Sequence, residues 1–415
     1  MKLPAFFNRA LAWITRRPAN ASEPIAADVG QTRYYHERSV VYASAQLVIL
    51  MVLAVYLAVS LLTGKSQLSV DNLSLLVSDF GSAIVLPEAG STDTLTYVAD
   101  QNNQFSSYRG GLAVLGGERL TVFTATGREN YAVPLQYHTP RVVTSDKYLL
   151  TYDLGGRELA VYNAFTKLFS VTTDFPIRHV AISKSGTFSV VTDDDSYASC
   201  VILYNADFQM ISRIHLKEHA VATALAPDGE RVVIASLTSQ GGRLVTVLHA
   251  CVPGDTSLTE YAQLPDATPL ALSFTEDGLL LLCLDGIYAL DESGVVTGSF
   301  SFHDAKVLRA DVSELGCVVY TRANAYTVST KILALDTRLQ PYIEALAPGA
   351  VADATLLADA SLCVLTDSSF CCYRSGEELP YYSTDLQGAY HTLLPMSGGD
   401  VFVCGEARAA CLRPR

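Results

Sequence analysis

Only one tryptophan occurs in the chain, Trp13, and it precedes every strand-like segment. There is no phosphate-binding glycine loop, G-x-S-x-G elbow, H-E-x-x-H helix, EF-hand loop or paired-cysteine zinc spacing. Those absences remove the commonest signatures of nucleotide, acyl-transfer and zinc chemistry. The residues therefore point to no catalytic group, metal ligand or cofactor. Positive charge is also in short supply, with 29 Lys and Arg against 42 Asp and Glu, a net charge of −13. An excess of that sign argues against nucleic acid as a partner.

Charge is missing altogether from 40–63, VVYASAQLVILMVLAVYLAVSLLT. The run exceeds the ~20 residues that a helix needs to cross a bilayer. It is longer, and starts further into the chain, than the apolar region of a signal peptide. The expectation is one uncleaved transmembrane helix, since unpaired backbone groups find no water in hydrocarbon. Before it, six basic residues (Lys2, Arg9, Arg16, Arg17, Arg33, Arg38) outnumber three acidic ones, giving +3 for 1–39. After it stand 23 basic and 39 acidic residues, or −16. The positive side normally stays in the cytoplasm. The chain is thus expected in the cell membrane as a single-pass protein, N-terminus inside and the large acidic part outside.

The basic tail, 1–39, opens with MKLPAFFNRALAWITRR, whose apolar residues share one arc at helical spacing with Lys2, Arg9 and Arg16 opposite. That is the pattern of a short helix lying on an anionic membrane surface. A stalk follows the span over 64–93, with apolar runs SLLV and AIVL split by Gly81 and Pro87.

From about residue 94 to 415, short β-branched and aromatic runs alternate with turn signals, and no long helical period appears. The pattern repeats. IRHVAISKSGTFSVVTD, AVATALAPDGERVVIAS, PLALSFTEDGLLLLCLD, VLRADVSELGCVVYTR and AVADATLLADASLCVLTD each place two apolar strands around a turn: SG, DG, DG, LG and DA. A second motif follows most of them, as in VILYNADFQMISRI and YALDESGVVTGSF, where two strands flank a turn around Asn or Asp. Four antiparallel strands at this period match a propeller blade. The fold expected is all-β, a β-propeller of about eight four-stranded blades, with seven as the alternative. The last unit lacks a strand, which a stalk run could supply to close the ring.

The turns in LAPDGERVVIAS, SFTEDGLLLLCLD and ISKSGTFSVVTD resemble those of WD40-like propellers, although the Gly-His and Trp-Asp pairs of that family are absent. The whole layout also resembles a bacterial domain-of-unknown-function family: basic tail, one membrane helix, extracytoplasmic propeller. That resemblance implies an envelope location and carries no activity.

Three groups of residues invite a chemical reading. Asp193, Asp194 and Asp195 could offer oxygen to a hard cation such as Ca²⁺, but three successive carboxylates cannot all face one ion, and a solvated loop is the better reading. Cys283, Cys317, Cys363 and Cys404 fall in the second strands of four units where others hold Val or Ala, and read as small buried hydrophobes carrying free thiols; interblade disulfides are the alternative. At the start of the first strands stand Arg178, His179, Arg309, Asp353 and His391, which converge on one mouth of the channel if the ring closes. They are the candidate ligand-binding residues. The function expected is a membrane-anchored binding or scaffolding module for an envelope protein or glycan. The alternative is a propeller hydrolase or lyase with a metal held at the channel by His179, Asp353 or His391.

Overall fold

The alternating runs pair into eight antiparallel sheets of four strands, so the fold is an eight-bladed β-propeller and the seven-bladed alternative falls away. The computed structural model describes residues 95–414 apart from 125–126, 165, 304–306, 323–328, 348–349 and 397, together with 42, 46, 47 and 49–51. The chain divides into two compact units, 1–81 and 82–415. Within the second, blades one to seven use consecutive strands: 104–134, 140–172, 177–216, 219–265, 269–301, 307–347 and 351–385. First strands of most successive blades lie against one another, and that of blade one, Gln104–Tyr108, meets that of blade eight, Tyr390–Pro395.

Blade eight takes its fourth strand from the other end of the chain. Leu95–Thr96 pairs with Arg408–Leu412, in register Leu95↔Ala409 and Thr96↔Arg408. The closing strand thus directly follows the stalk expected to supply it; SLLV and AIVL lie outside the described residues, as does the amphipathic segment 1–17. The closure is latched by side chains. The Tyr97 hydroxyl lies 2.7 and 2.8 Å from the carbonyls of Gly405 and Arg408, and Asn103 Nδ2 donates to Val98 and Glu406. Leu95 is 4% exposed and packs on Leu112, Val114, Phe123, Phe402 and Cys404.

Apolar burial is organised as slabs between neighbouring blades. Val180 and Ile182 face blade two, among Leu150, Tyr152 and Val161, while the intervening Ala181 faces blade four with Leu225 and Ile234. The small residue of this first strand is therefore packed as well, on the opposite side. Alternation sends successive side chains to opposite faces, and each face of a blade meets a different neighbour.

The Asn/Asp motif has a specific cause. In each case the side-chain oxygen closes the hairpin between third and fourth strands by accepting backbone N–H bonds: Asn205 Oδ1 from Asp207 and Gln209, Asp291 Oδ1 from Ser293 and Val295, Asp336 Oδ1 from Arg338 and Gln340. A short polar side chain that bonds to its own turn substitutes for a backbone partner.

The cysteine expectation needs correcting. Cys283, Cys317, Cys363 and Cys404 are all fully buried in second strands, but Cys317 and Cys363 lie near the start and Cys283 and Cys404 near the end. Cys363 is not a free thiol. It is bonded to Cys372, its direct partner on the neighbouring strand, with Cα atoms 4.3 Å apart, inside blade seven rather than between blades. Directly opposed residues can approach this closely in antiparallel pairs, and only at this position does the opposite strand also carry cysteine. Burial pushes the Cys283 and Cys317 thiols up to about 12, keeping them protonated and inert. Cys363→Ala is expected to cost about 2–3 kcal/mol, against about 1 kcal/mol for Cys283→Ala. In the denatured, unreduced protein the Cys363 and Cys372 thiols should resist alkylation until reductant is added; immediate alkylation would remove the bridge.

Candidate functional site: the two ends of the central channel

A β-bulge recurs near the start of the first strand in six successive blades. The register shifts between Ile177 and His179, Ala220 and Ala222, Pro269 and Ala271, Val307 and Arg309, Val351 and Asp353, and Tyr390 and Thr392. The residues left without a partner across the ladder are Arg178, Val221, Leu270, Leu308, Ala352 and His391. A bulge bends its strand and re-aims a side chain. Here it does so at one structural position around most of the ring, on the face that carries the connections between blades. Leu270 and Leu308, in adjacent blades, are 46% and 54% exposed. Arg178 and His391 are exposed at the two ends of the series.

The five candidate residues do not form one constellation. Arg178 makes a bidentate pair with Asp193, at 2.8 and 2.6 Å. His391 places Nδ1 3.0 Å from the Thr392 hydroxyl and its ring beside Phe105. His179 Nδ1 lies 3.2 Å from the Thr223 hydroxyl and 3.3 Å from the Thr223 backbone N–H, joining blades three and four. Only Arg309 and Asp353 come together, at 3.1 Å. Arg309 also contacts Asp311 at 2.8 Å and lies over the Tyr320 ring. Asp353 Oδ2 accepts from the Leu393 N–H at 2.8 Å, and the Tyr320 hydroxyl donates toward Oδ1. Asp353 thereby links blades six, seven and eight. Burial raises the Asp353 and Asp311 carboxyls despite the Arg309 charge.

Burial of the His179 ring lowers its affinity for a proton, to a pKa of about 4. A histidine that titrates lower when folded stabilises the fold above its ordinary pKa of 6.5, and that contribution is lost as pH falls toward 4. At most about 3 kcal/mol is at stake. Asp353 and Asp311, shifted upward, act with the opposite sign, so the histidine effect is read by difference. Denaturant midpoints of wild type and His179→Gln should converge between pH 6.5 and 4; parallel curves would show that the ring is not held neutral.

A cavity of about 450 Å³ lies at the other end of the channel, among the turns that join first and second strands. Its walls come from blades one, two, three, six and eight, with Arg109, Asp146, Lys184, Glu314 and Met396 among them. Lys184 Nζ meets Glu314 Oε2 at 2.6 Å. Two intact blades separate these residues along the ring, so the ion pair spans the channel. Sequence reasoning missed this end. Lys184 and Glu314 do sit beside the SG and LG turns of the repeats, so aligning the turns places both charges in one tier.

Among the described residues, no helix is long and apolar enough to cross a membrane. Most of 40–63 lies outside them. Those of its residues that are described, Tyr42, Gln46, Leu47, Ile49, Leu50 and Met51, are helical and exposed.

The chain is similar to a family of unknown function. That family, DUF5711, matches residues 90–250, from the closing strand into blade four. No curated protein matches. Among solved structures, BamB from Moraxella catarrhalis is similar at 10% identity and a TM-score of 0.50, covering 79% of this chain and 100% of that one. The likeness shows the propeller fold alone. Hydrazine synthase of Kuenenia stuttgartiensis is similar at 12% identity and a TM-score of 0.46, over 66% of this chain and 94% of that one. BBS1N in complex with ARL6DN is similar at 13% identity and a TM-score of 0.44, over 80% and 98%.

Proposed function

We propose that the protein is a membrane-anchored, extracytoplasmic binding module whose bulge-bearing face docks an envelope protein. The observation that carries this is the bulge series: the exposed Leu270 and Leu308 sit side by side on one rim, flanked around the ring by exposed Arg178 and His391. An apolar centre with a polar border is the usual anatomy of a protein–protein contact. It suits a protein better than a glycan, whose hydroxyl groups gain little from leucine. The hydrolase or lyase reading needs a metal at the channel held by His179, Asp353 or His391, each of which already has a protein partner: Thr223, the Leu393 N–H and Thr392.

The anchor rests on 40–63. At 100° per residue, its described helical residues span roughly 200° of the helix surface, with Tyr42, Leu47, Ile49, Leu50 and Met51 all more than half exposed. Apart from Gln46, that arc is apolar, and a helix apolar over so wide an arc belongs in lipid or a large core. With the basic tail inside, the propeller lies outside the membrane.

A photo-crosslinking residue at Leu308, in the full chain expressed in its own cells, should capture a defined membrane or envelope protein. The same group at Arg338, on a turn of the opposite face, should not. Capture from Arg338 alone, or identical capture from both, would overturn the assignment of the docking face. Protease added to protoplasts should digest the propeller and spare an N-terminal tag; protection of the propeller would reverse the topology.

A further inference from the structure

We infer that Asp194, Cys200 and His215 form a binding site for a divalent transition metal of intermediate softness, with Zn²⁺ the best match. The three donor atoms lie within 4.8 Å of one another at the outer edge of blade three. Cys200 on Ser199–Tyr204 and His215 on Met210–Leu216 are direct cross-strand partners, so the sheet itself holds thiol and imidazole side by side. Asp194 comes from the connection that leads into Cys200's strand.

Each donor is positioned by something other than a metal. Asp194 Oδ1 accepts the N–H groups of Ser196 and Tyr197 at 2.9 and 3.1 Å, which turns Oδ2 toward His215 Nδ1 at 2.7 Å. The Tyr197 ring flanks the imidazole with centroids 5.0 Å apart. The neighbouring aspartates are engaged elsewhere, Asp193 with Arg178 and Asp195 with the Ser196 hydroxyl. Asp194 alone of the three therefore turns toward a possible ion, and the company it keeps is sulfur and nitrogen.

That donor set selects the metal. Ca²⁺ and Mg²⁺ take oxygen ligands and would not draw on a thiol. Sulfur, nitrogen and one carboxylate oxygen suit tetrahedral Zn²⁺, whose bonds of about 2.0–2.3 Å put neighbouring donors about 3.3–3.8 Å apart. The Asp194–His215 contact must open slightly to reach that spacing. The side chains of Asp194 and His215 are 6% and 40% exposed, and Cys200 is 3% exposed. The site is thus closed on the carboxylate and thiol side and open beyond the imidazole, where water would take the fourth position. Without a cation, burial and the Asp194 and Asp174 charges push the Cys200 thiol up to about 11 despite Arg213 nearby. A divalent ion reverses the sign of that environment: it binds the thiolate, whose proton leaves to solvent, while the imidazole binds as the neutral ring through Nδ1 and carries its proton on Nε2.

The test uses the full-length protein, stripped with chelator and titrated with Co²⁺ alone as a spectroscopic stand-in for Zn²⁺. One equivalent should produce a thiolate-to-cobalt charge-transfer band in the near ultraviolet, which one equivalent of Zn²⁺ then abolishes. Cys200→Ser should lose the band. His215→Ala changes only a partly exposed side chain and so guards against misfolding; it should weaken binding by more than the 10- to 100-fold typical of outer-shell changes. Cys251→Ser should leave the band intact. No charge-transfer band in the wild type, or a band that survives Cys200→Ser, would overturn the site and leave Asp194–His215 as an ion pair beside a packed thiol.

Discussion

Leu95→Ala is expected to destabilise the propeller by about 2–4 kcal/mol, although it alters a strand of two residues. Leu95 is buried against blades eight and one, so the substitution opens a void at the seam where the ring closes. Removing 94–98 should do more than add to that loss. It takes away the pairing to Ala409 and Arg408 and the Tyr97 contacts with Gly405 and Arg408. The strand Arg408–Leu412 would then present unpaired backbone groups, a template for association with a second chain. Thermal melts and light scattering should show a lower midpoint and concentration-dependent aggregation. Deleting 66–93, which stops short of Leu95, should produce neither effect. If that deletion aggregates while the Leu95 variant melts like wild type, closure depends on the stalk.

Gly278→Ala is the second large effect, at about 3 kcal/mol or more, from strain together with overpacking. Gly278 opens the second strand of blade five at φ +147°, and a Cβ there would stand 2.1 Å from the Leu290 carbonyl oxygen. Gly316 repeats the arrangement in blade six, at φ +135° and 2.2 Å from the Leu335 oxygen. In both, the second strand begins directly under the last carbonyl of the third, and only a residue without a side chain fits. The reciprocal change lies in blade seven. Ala360 occupies φ 62° and donates its N–H to the Leu357 carbonyl, as Gly186 does to Ser183 in blade three. Ala360→Gly should therefore stabilise the protein by about 0.5–1 kcal/mol, since the left-handed conformation penalises a Cβ. Equal midpoints for Gly278→Ala and wild type in urea would show that the hairpin can shift to accept a methyl group.

The fold was legible because a propeller writes its architecture as repetition. Each blade needs two tight turns, so SG, DG and LG recur between first and second strands and Asn or Asp between third and fourth. Each blade also buries both faces, so its strands alternate or run apolar throughout. The short last unit likewise announced that a strand was missing. Which residues supply it was not legible: Leu95–Thr96 is too short to stand out beside the more apolar stalk runs, and only the ring brings it to Arg408 and Ala409.

Side-chain partnerships were decided by tertiary structure. By itself the sequence determined the repeat, the blade count within one, the charge contrast between tail and propeller, and the apolar span. It could place Arg178, His179, Arg309, Asp353 and His391 at one tier, because that follows from position along a strand. It could not show that Arg309 meets Asp353 while Arg178 turns to Asp193, because those choices depend on the bulges and on the neighbouring blade. For the same reason Lys184 and Glu314 meet across the channel despite being 130 positions apart. Cys363 finds Cys372 within blade seven through cross-strand register, where the repeat alone suggested another buried thiol. Periodicity is a property of each blade and survives in the chain; contacts between blades exist only once the ring has closed.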